Sequence, residues 1–157
     1  GRIVEKEDSE AMRQGRDLEE YVAKRFCEKT GKKVRRDNSI IFNSDYPFAH
    51  ANVDRLIVGE DAGLECKTTA TLNLKQFKNG EYPVNYYVQC MHYMLVTGKK
   101  RWYLAVLVLG KGFYDFVIDR DESEIKALAE AEKDFYQYIT DWVESQYFTM
   151  LSGVNKI

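Results

Sequence analysis

Residues 51–68 decide the reading: Ala51-Asn52-Val53-Asp54-Arg55-Leu56-Ile57-Val58, a turn at Gly59-Glu60-Asp61-Ala62-Gly63, then Leu64-Glu65-Cys66-Lys67-Thr68. Two short runs rich in apolar residues around a Gly-bounded turn predict a β-hairpin. Glu65 and Lys67 are two apart in the returning strand, so they leave the same face of it. A register that sets Asp54 opposite Lys67 makes Glu65 its diagonal neighbour, and the three side chains converge. A slip of one residue turns Asp54 to the other face. Carboxylates side by side repel each other, and a divalent cation removes the repulsion. Mg²⁺ prefers oxygen ligands and keeps several waters, one of which can serve as a nucleophile. The Lys67 ammonium can orient that water or stabilise charge on a phosphate being cleaved. Cys66, between the two, is expected to point away into the core.

An acidic-x-Lys triplet is weak evidence by itself. Glu124-Ile125-Lys126 has the same form, but at a helix start, where residues two apart do not share a face. That copy reads as surface. The useful triplet is the one that follows Asp54 across a short hairpin.

Outward from the hairpin, Ser9 to Lys29 is predicted as a helix with Met12, Gly15, Leu18, Val22 and Phe26 at spacings of three and four, stopped by Thr30-Gly31. Glu19 falls inside that stripe. It is either a boundary residue that reaches solvent or pairs with an Arg, or a carboxylate compensated by something cationic. Val34 to Phe42 reads as one strand before the Asn43-Ser44-Asp45 turn, and Ala51 to Val58 as the next. Thr69 to Glu81 is a polar loop or a mobile flap. Pro83 opens a helix and Gly98 closes it. On it Gln89, in line with Tyr86, His92, Tyr93 and Val96, is a boundary residue or a holder of the attacking water or a DNA phosphate. Trp102 to Leu109 is an apolar run suited to a strand covered on both faces. Gly110-Lys111-Gly112 turns into a strand at Phe113 to Ile118. Asp121 then caps a long helix, with Glu124 completing a capping box. Its stripe of Ile125, Leu128, Phe135, Ile139 and Trp142 is expected to lie on the sheet. The resulting order is α-β-β-β-α-β-β-α, an α/β (α+β) fold with a mixed central sheet flanked by helices.

At 157 residues, 45% apolar and 31% charged, the chain is expected to be a single domain over 1–157. No apolar run is long enough to span a bilayer, and Gly1-Arg2-Ile3-Val4-Glu5-Lys6 lacks the anatomy of a signal peptide. Cys27, Cys66 and Cys90 suit reduced thiols in a cytoplasm. The net charge of −2 does not advertise a polyanion partner. Positive charge is nevertheless clustered, at Lys24, Arg25, Lys29, Lys32, Lys33, Arg35 and Arg36 and again at Lys99, Lys100 and Arg101. His50 and His92 lack zinc-site spacing and are taken as structural or DNA-facing. No Ser–His or Cys–His pair and no glycine-rich phosphate loop stands out.

Four segments in order resemble the YqaJ-type viral recombinases, relatives of the phage lambda exonuclease. They are Met12-Arg13-Gln14-Gly15-Arg16-Asp17-Leu18-Glu19, Pro47-Phe48-Ala49-His50-Ala51-Asn52-Val53-Asp54-Arg55, Gly63-Leu64-Glu65-Cys66-Lys67-Thr68 and Tyr86-Tyr87-Val88-Gln89. The resemblance implies a PD-(D/E)xK nuclease core. It implies that Asp54, Glu65 and the Cys66 main-chain carbonyl hold one Mg²⁺, with Mn²⁺ as an alternative, and that Glu19 helps hold a second or a bridging water. By the same likeness Lys67 is the catalytic lysine, Gln89 supports the site, and Arg13, Arg16 and Tyr86 meet DNA. The implied activity is exonucleolytic resection of double-stranded DNA for phage-type recombination, cytoplasmic and phage- or prophage-encoded. A single-strand annealing protein and a ring-forming homo-oligomer are the implied partners, and no membrane is. The family's upstream segment, with its phosphate-contacting serine, is expected to be missing. An endonuclease of the same fold is the nearest alternative. A non-catalytic DNA-binding module is another, distinguished by a broken site, whereas all four charged positions are intact.

Overall fold

Ser9 starts the first helix, α1 (Glu10–Thr30), in the computed structural model, which describes residues 9–70 and 74–154. The Ser9 hydroxyl accepts from the Met12 amide at 3.2 Å, which satisfies one of the donors a helix start leaves open. Gly31, in the left-handed region at φ 72°, ends it by donating its N–H to the Cys27 carbonyl. Only the C-terminal half of the expected stripe is covered: Val22, Ala23 and Phe26 are buried, while Met12 and Gly15 are exposed. The N-terminal half of α1 extends past the sheet.

The single strand expected over Val34–Phe42 is two, β1 (Val34–Arg36) and β2 (Ile40–Asn43). Between them the Asp37 carboxylate accepts from the Ser39 amide at 3.1 Å, a local bond that competes with strand pairing. The next expected strand is also two, β3 (Tyr46–Asn52) and β4 (Arg55–Ile57). β2 and β3 form a separate two-stranded hairpin. The main sheet adds β5 (Ala62–Thr69), β6 (Arg101–Val108) and β7 (Gly112–Asp119) in the order β1-β4-β5-β6-β7, with only β5 and β6 parallel. Residues 71–73 of the polar stretch lie outside the described residues. After them comes a short helix, α2 (Leu74–Lys78), held by buried Phe77 rather than forming an open flap. α3 (Val84–Thr97) and α4 (Glu122–Val154) complete the chain. The expected order is therefore corrected by one extra helix and two extra strands, while the mixed sheet flanked by helices stands.

Alternation along β5 splits the core. Ala62, Leu64 and Cys66 pack with Val22 and Phe26 of α1, and β6 contributes Tyr103 and Ala105 to that side. The opposite face carries α3, the β2–β3 hairpin and the first turns of α4 around Trp102, Leu104 and Val106. Asp121 caps α4 through the Ser123 and Glu124 amides. The Glu124 carboxylate, however, accepts from the Tyr87 hydroxyl instead of closing a capping box. Among the described residues the stripe of α4 meets the core at Ile125, Leu128 and Ala129; Phe135 is 67% and Trp142 55% exposed, and Ile139 is exposed as well. Apolar periodicity identifies a face to be covered, and here the sheet ends before it covers that face. Among the described residues no helix is long and apolar enough to cross a membrane.

Two particulars fix α3 over β5. Gly63 has no Cβ, and one built there would lie 2.3 Å from the Trp102 ring, whose indole in turn packs at a tilt against Tyr93 with ring centroids 5.1 Å apart. His92 uses both ring nitrogens, Nδ1 to Glu132 at 2.6 Å and Nε2 to the His50 carbonyl at 2.9 Å. Two acceptors require two N–H groups, hence the imidazolium, and the Glu132 bond raises the His92 pKa.

Gly63→Ala is expected to destabilise the fold by about 3 kcal/mol, because a rigid indole must move; chemical denaturation showing under 1 kcal/mol contradicts this packing. For His92 the folded pKa lies above the unfolded one. Its contribution is therefore full below about pH 6.5 and is lost as pH rises through the raised value. Melting temperature measured across that range is expected to fall more steeply in the wild type than in Glu132→Gln, a difference of about 1 kcal/mol. Parallel curves contradict the bridge.

Candidate active site

Strands β4 and β5 share one ladder pair, Leu56 with Gly63, and part where Asp54 precedes β4. Counted outward from that pair, Asp54 comes opposite Glu65 and not opposite Lys67 as expected. The shift is two residues, so the shared face survives. Glu65, only 14% exposed at its side chain, meets Lys67 Nζ at 2.9 Å on the α3 side of β5. Lys67 Nζ lies 5.5 Å from the Tyr86 ring centroid. Burial first, and the negative charge of Glu19 besides, push the Glu65 carboxyl above the usual carboxylate range, while Lys67 and a hydrogen bond from Tyr93 pull it down.

Glu19 and Asp54 line one cavity of about 360 Å³ with Arg16, Arg36, Asn38 and Arg55. Arg16 thus stands at the site, and Arg13 lies a turn earlier on the exposed part of α1. Cys66 points into the α1 side of the core, as expected, and burial pushes its thiol up to about 12. A larger groove of about 700 Å³ runs between the β2–β3 hairpin and α4, lined by residues such as Phe48, Ile125 and Ala129 and by none of these charged groups.

Gln89 does not reach the carboxylates itself. Its Nε2 donates to the Tyr93 hydroxyl at 2.7 Å, and Tyr93 donates to Glu65. Sequence reasoning missed Tyr93, although its place four residues after Gln89 puts both on one helix face. It also missed Arg55, the one buried charged side chain among the described residues.

Does this set suit a cation? Among the described residues no three acidic, imidazole or thiol groups gather as a ready-made metal cage. The donor chemistry nonetheless suits a hard ion: Glu65 is burdened by burial and by Glu19, and Lys67 fills the counter-charge role. Of the expected ligands, Glu19 on α1 and Asp54 just before β4 line one cavity, while Glu65 stands on β5 beside Lys67.

The YqaJ-like viral recombinase domain matches residues 1–100. The chain is similar to the YqaJ protein of Bacillus subtilis (strain 168), 45% identical over 135 residues, which is 85% of this chain and 42% of that one. It therefore spans about two fifths of that relative's length. Among solved structures it resembles LHK-Exo in complex with dAMP, with TM-score 0.72 and 20% identity over 92% of this chain and 77% of the other. LHK-Exo is an alkaline exonuclease from Laribacter hongkongensis. It also resembles a phage related exonuclease from Haemophilus somnus 129PT, with TM-score 0.63 and 14% identity over 88% and 76% of the two chains. At these identities the likeness establishes the fold alone, a mixed central sheet flanked by helices.

Cys66 and Cys90 are buried with thiols raised by that burial, whereas Cys27 is half-exposed. A thiol reagent at about pH 8 is expected to modify Cys27 alone in the native protein, the other two reacting only on unfolding. Rapid modification of all three, read by mass spectrometry, contradicts the placement of Cys66 behind the site.

Proposed function

This chain belongs to the YqaJ-like viral recombinase domain family, and from that premise we propose that it is a divalent-cation-dependent exonuclease that resects double-stranded DNA in phage-type recombination. The observation that carries the reading is the meeting of Glu65 and Lys67, with Asp54 and Glu19 side by side in one cavity. Asp54, Glu65 and the Cys66 carbonyl would hold Mg²⁺ or Mn²⁺, and Glu19 would hold a second ion or an ordered water. A hard cation bound there supplies Lewis-acid polarisation of the phosphate and acidifies a water. Lys67, paired with Glu65, would be the group that stabilises charge building on the scissile phosphate. Tyr93 keeps the Glu65 carboxylate in place, and Gln89 fixes the Tyr93 hydroxyl. Arg16, beside the carboxylates, and Arg13, a turn away, offer guanidiniums to the DNA backbone, and Tyr86 offers its ring.

A single-strand annealing protein and further copies of this chain are the proposed partners. The exposed aromatic run of α4, from Phe135 to Trp142, supports a contact surface. The DNA substrate and three free thiols support a cytoplasmic site of action.

Linear duplex is expected to be degraded in Mg²⁺ while covalently closed circles persist, and Glu65→Ala or Lys67→Ala lowers the rate about a thousandfold with the fold retained. Nicking of circles makes the protein an endonuclease. Undiminished digestion by both variants places the chemistry elsewhere, and inactivity of the wild type on both substrates leaves a DNA-binding module.

A further inference from the structure

We propose that Arg55 is a positioning residue that sets Glu19 at the cation site, and that it acts through Glu20, a carboxylate that touches neither metal nor DNA. The inference deepens the reading above and rests on it. Arg55 is 4% exposed. A guanidinium does not shed its proton, so out of water it requires carboxylates around it. Arg55 turns to α1, where Glu20 meets it, and Asp54, exposed just before β4, lines a cavity with Glu19.

Arg55 is also the register partner of Arg36 on β1. Two like charges directly opposite on adjacent strands are destabilising. Glu20 resolves the conflict: its Oε2 accepts from Arg55 Nη2 at 3.2 Å and from Arg36 Nη2. Glu19 Oε2 stands 3.8 Å from Arg55 Nη1, beyond hydrogen-bond length. Glu20 is therefore the fastened carboxylate, and Glu19 the one left to turn toward the cavity it shares with Asp54. The clamp matters because Met12 to Asp17, the turns just before Leu18, are exposed. What orients Glu19 is the pair of guanidiniums, drawn from two strands, that grips the next residue.

The test is titration calorimetry of the protein with Mg²⁺ alone, and with Mn²⁺ alone, for the wild type, Glu20→Ala and Arg55→Lys. Glu20 is largely exposed, so Glu20→Ala is expected to keep the fold, and its affinity for the ion is expected to fall about tenfold, the usual loss for an outer-shell partner. Arg55→Lys keeps the charge but loses the fork, and is expected to fall with it. Hydrogen exchange is expected to quicken at Asp17–Tyr21 in both variants and to stay unchanged in β6. Wild-type binding that Glu20→Ala leaves within twofold overturns the clamp while the metal reading stands. A wild type that binds neither ion overturns the metal reading, and with it this role for Arg55.

Discussion

A carboxylate held where water is scarce, Glu65, governs this molecule. Glu65 on β5 is nearly buried, while Glu19 and the exposed Asp54 line a cavity where β4 begins. Such a group is tolerable only with positive charge beside it. The protein supplies two sources that differ in kind. Lys67 is a point charge on a flexible stem, paired with Glu65. Arg55 is a rigid, buried fork that holds the helix side in place and cannot leave.

The rest of the fold serves to hold these groups at the rim. The parallel pairing of β5 with β6 runs along the whole of β5, from Ala62 with Arg101 to Thr69 with Val108. Glu65 and Lys67 therefore stand on a fixed strand and not on a loop. Above them the absence of a side chain at Gly63 admits the Trp102 indole, which supports Tyr93, which reaches Glu65. His92 ties the same helix to α4 and to the β2–β3 hairpin. Each link is local, and together they bring α3 and the strand into one unit under the carboxylates.

What could be read in the sequence was what short-range chemistry decides. Ser9 and Gly31, Pro83 and Gly98, and Asp121 each mark a helix end through bonds within a few residues. The hairpin around Gly59 and the common face of Glu65 and Lys67 follow from the strand period. Register did not follow: the turn sets Asp54 against Glu65, two places from the expected partner, because loop length and not side-chain pattern decides it. Asp37-Asn38-Ser39 did carry a turn signal, hidden by the apolar residues on either side. The α4 stripe announced an uncovered face without saying what covers it. Arg55 stayed hidden for a different reason, since its carboxylate partner is 35 residues away in the chain.

A crystal soaked in Mn²⁺, with the ion located by its anomalous signal, examines the central claim most directly. A peak is expected within coordination distance of oxygens of Asp54 and Glu65, near the Cys66 carbonyl, with Lys67 moved off Glu65. A crystal in which the ion binds elsewhere, or in which Lys67 stays on Glu65 at saturating Mn²⁺, contradicts it.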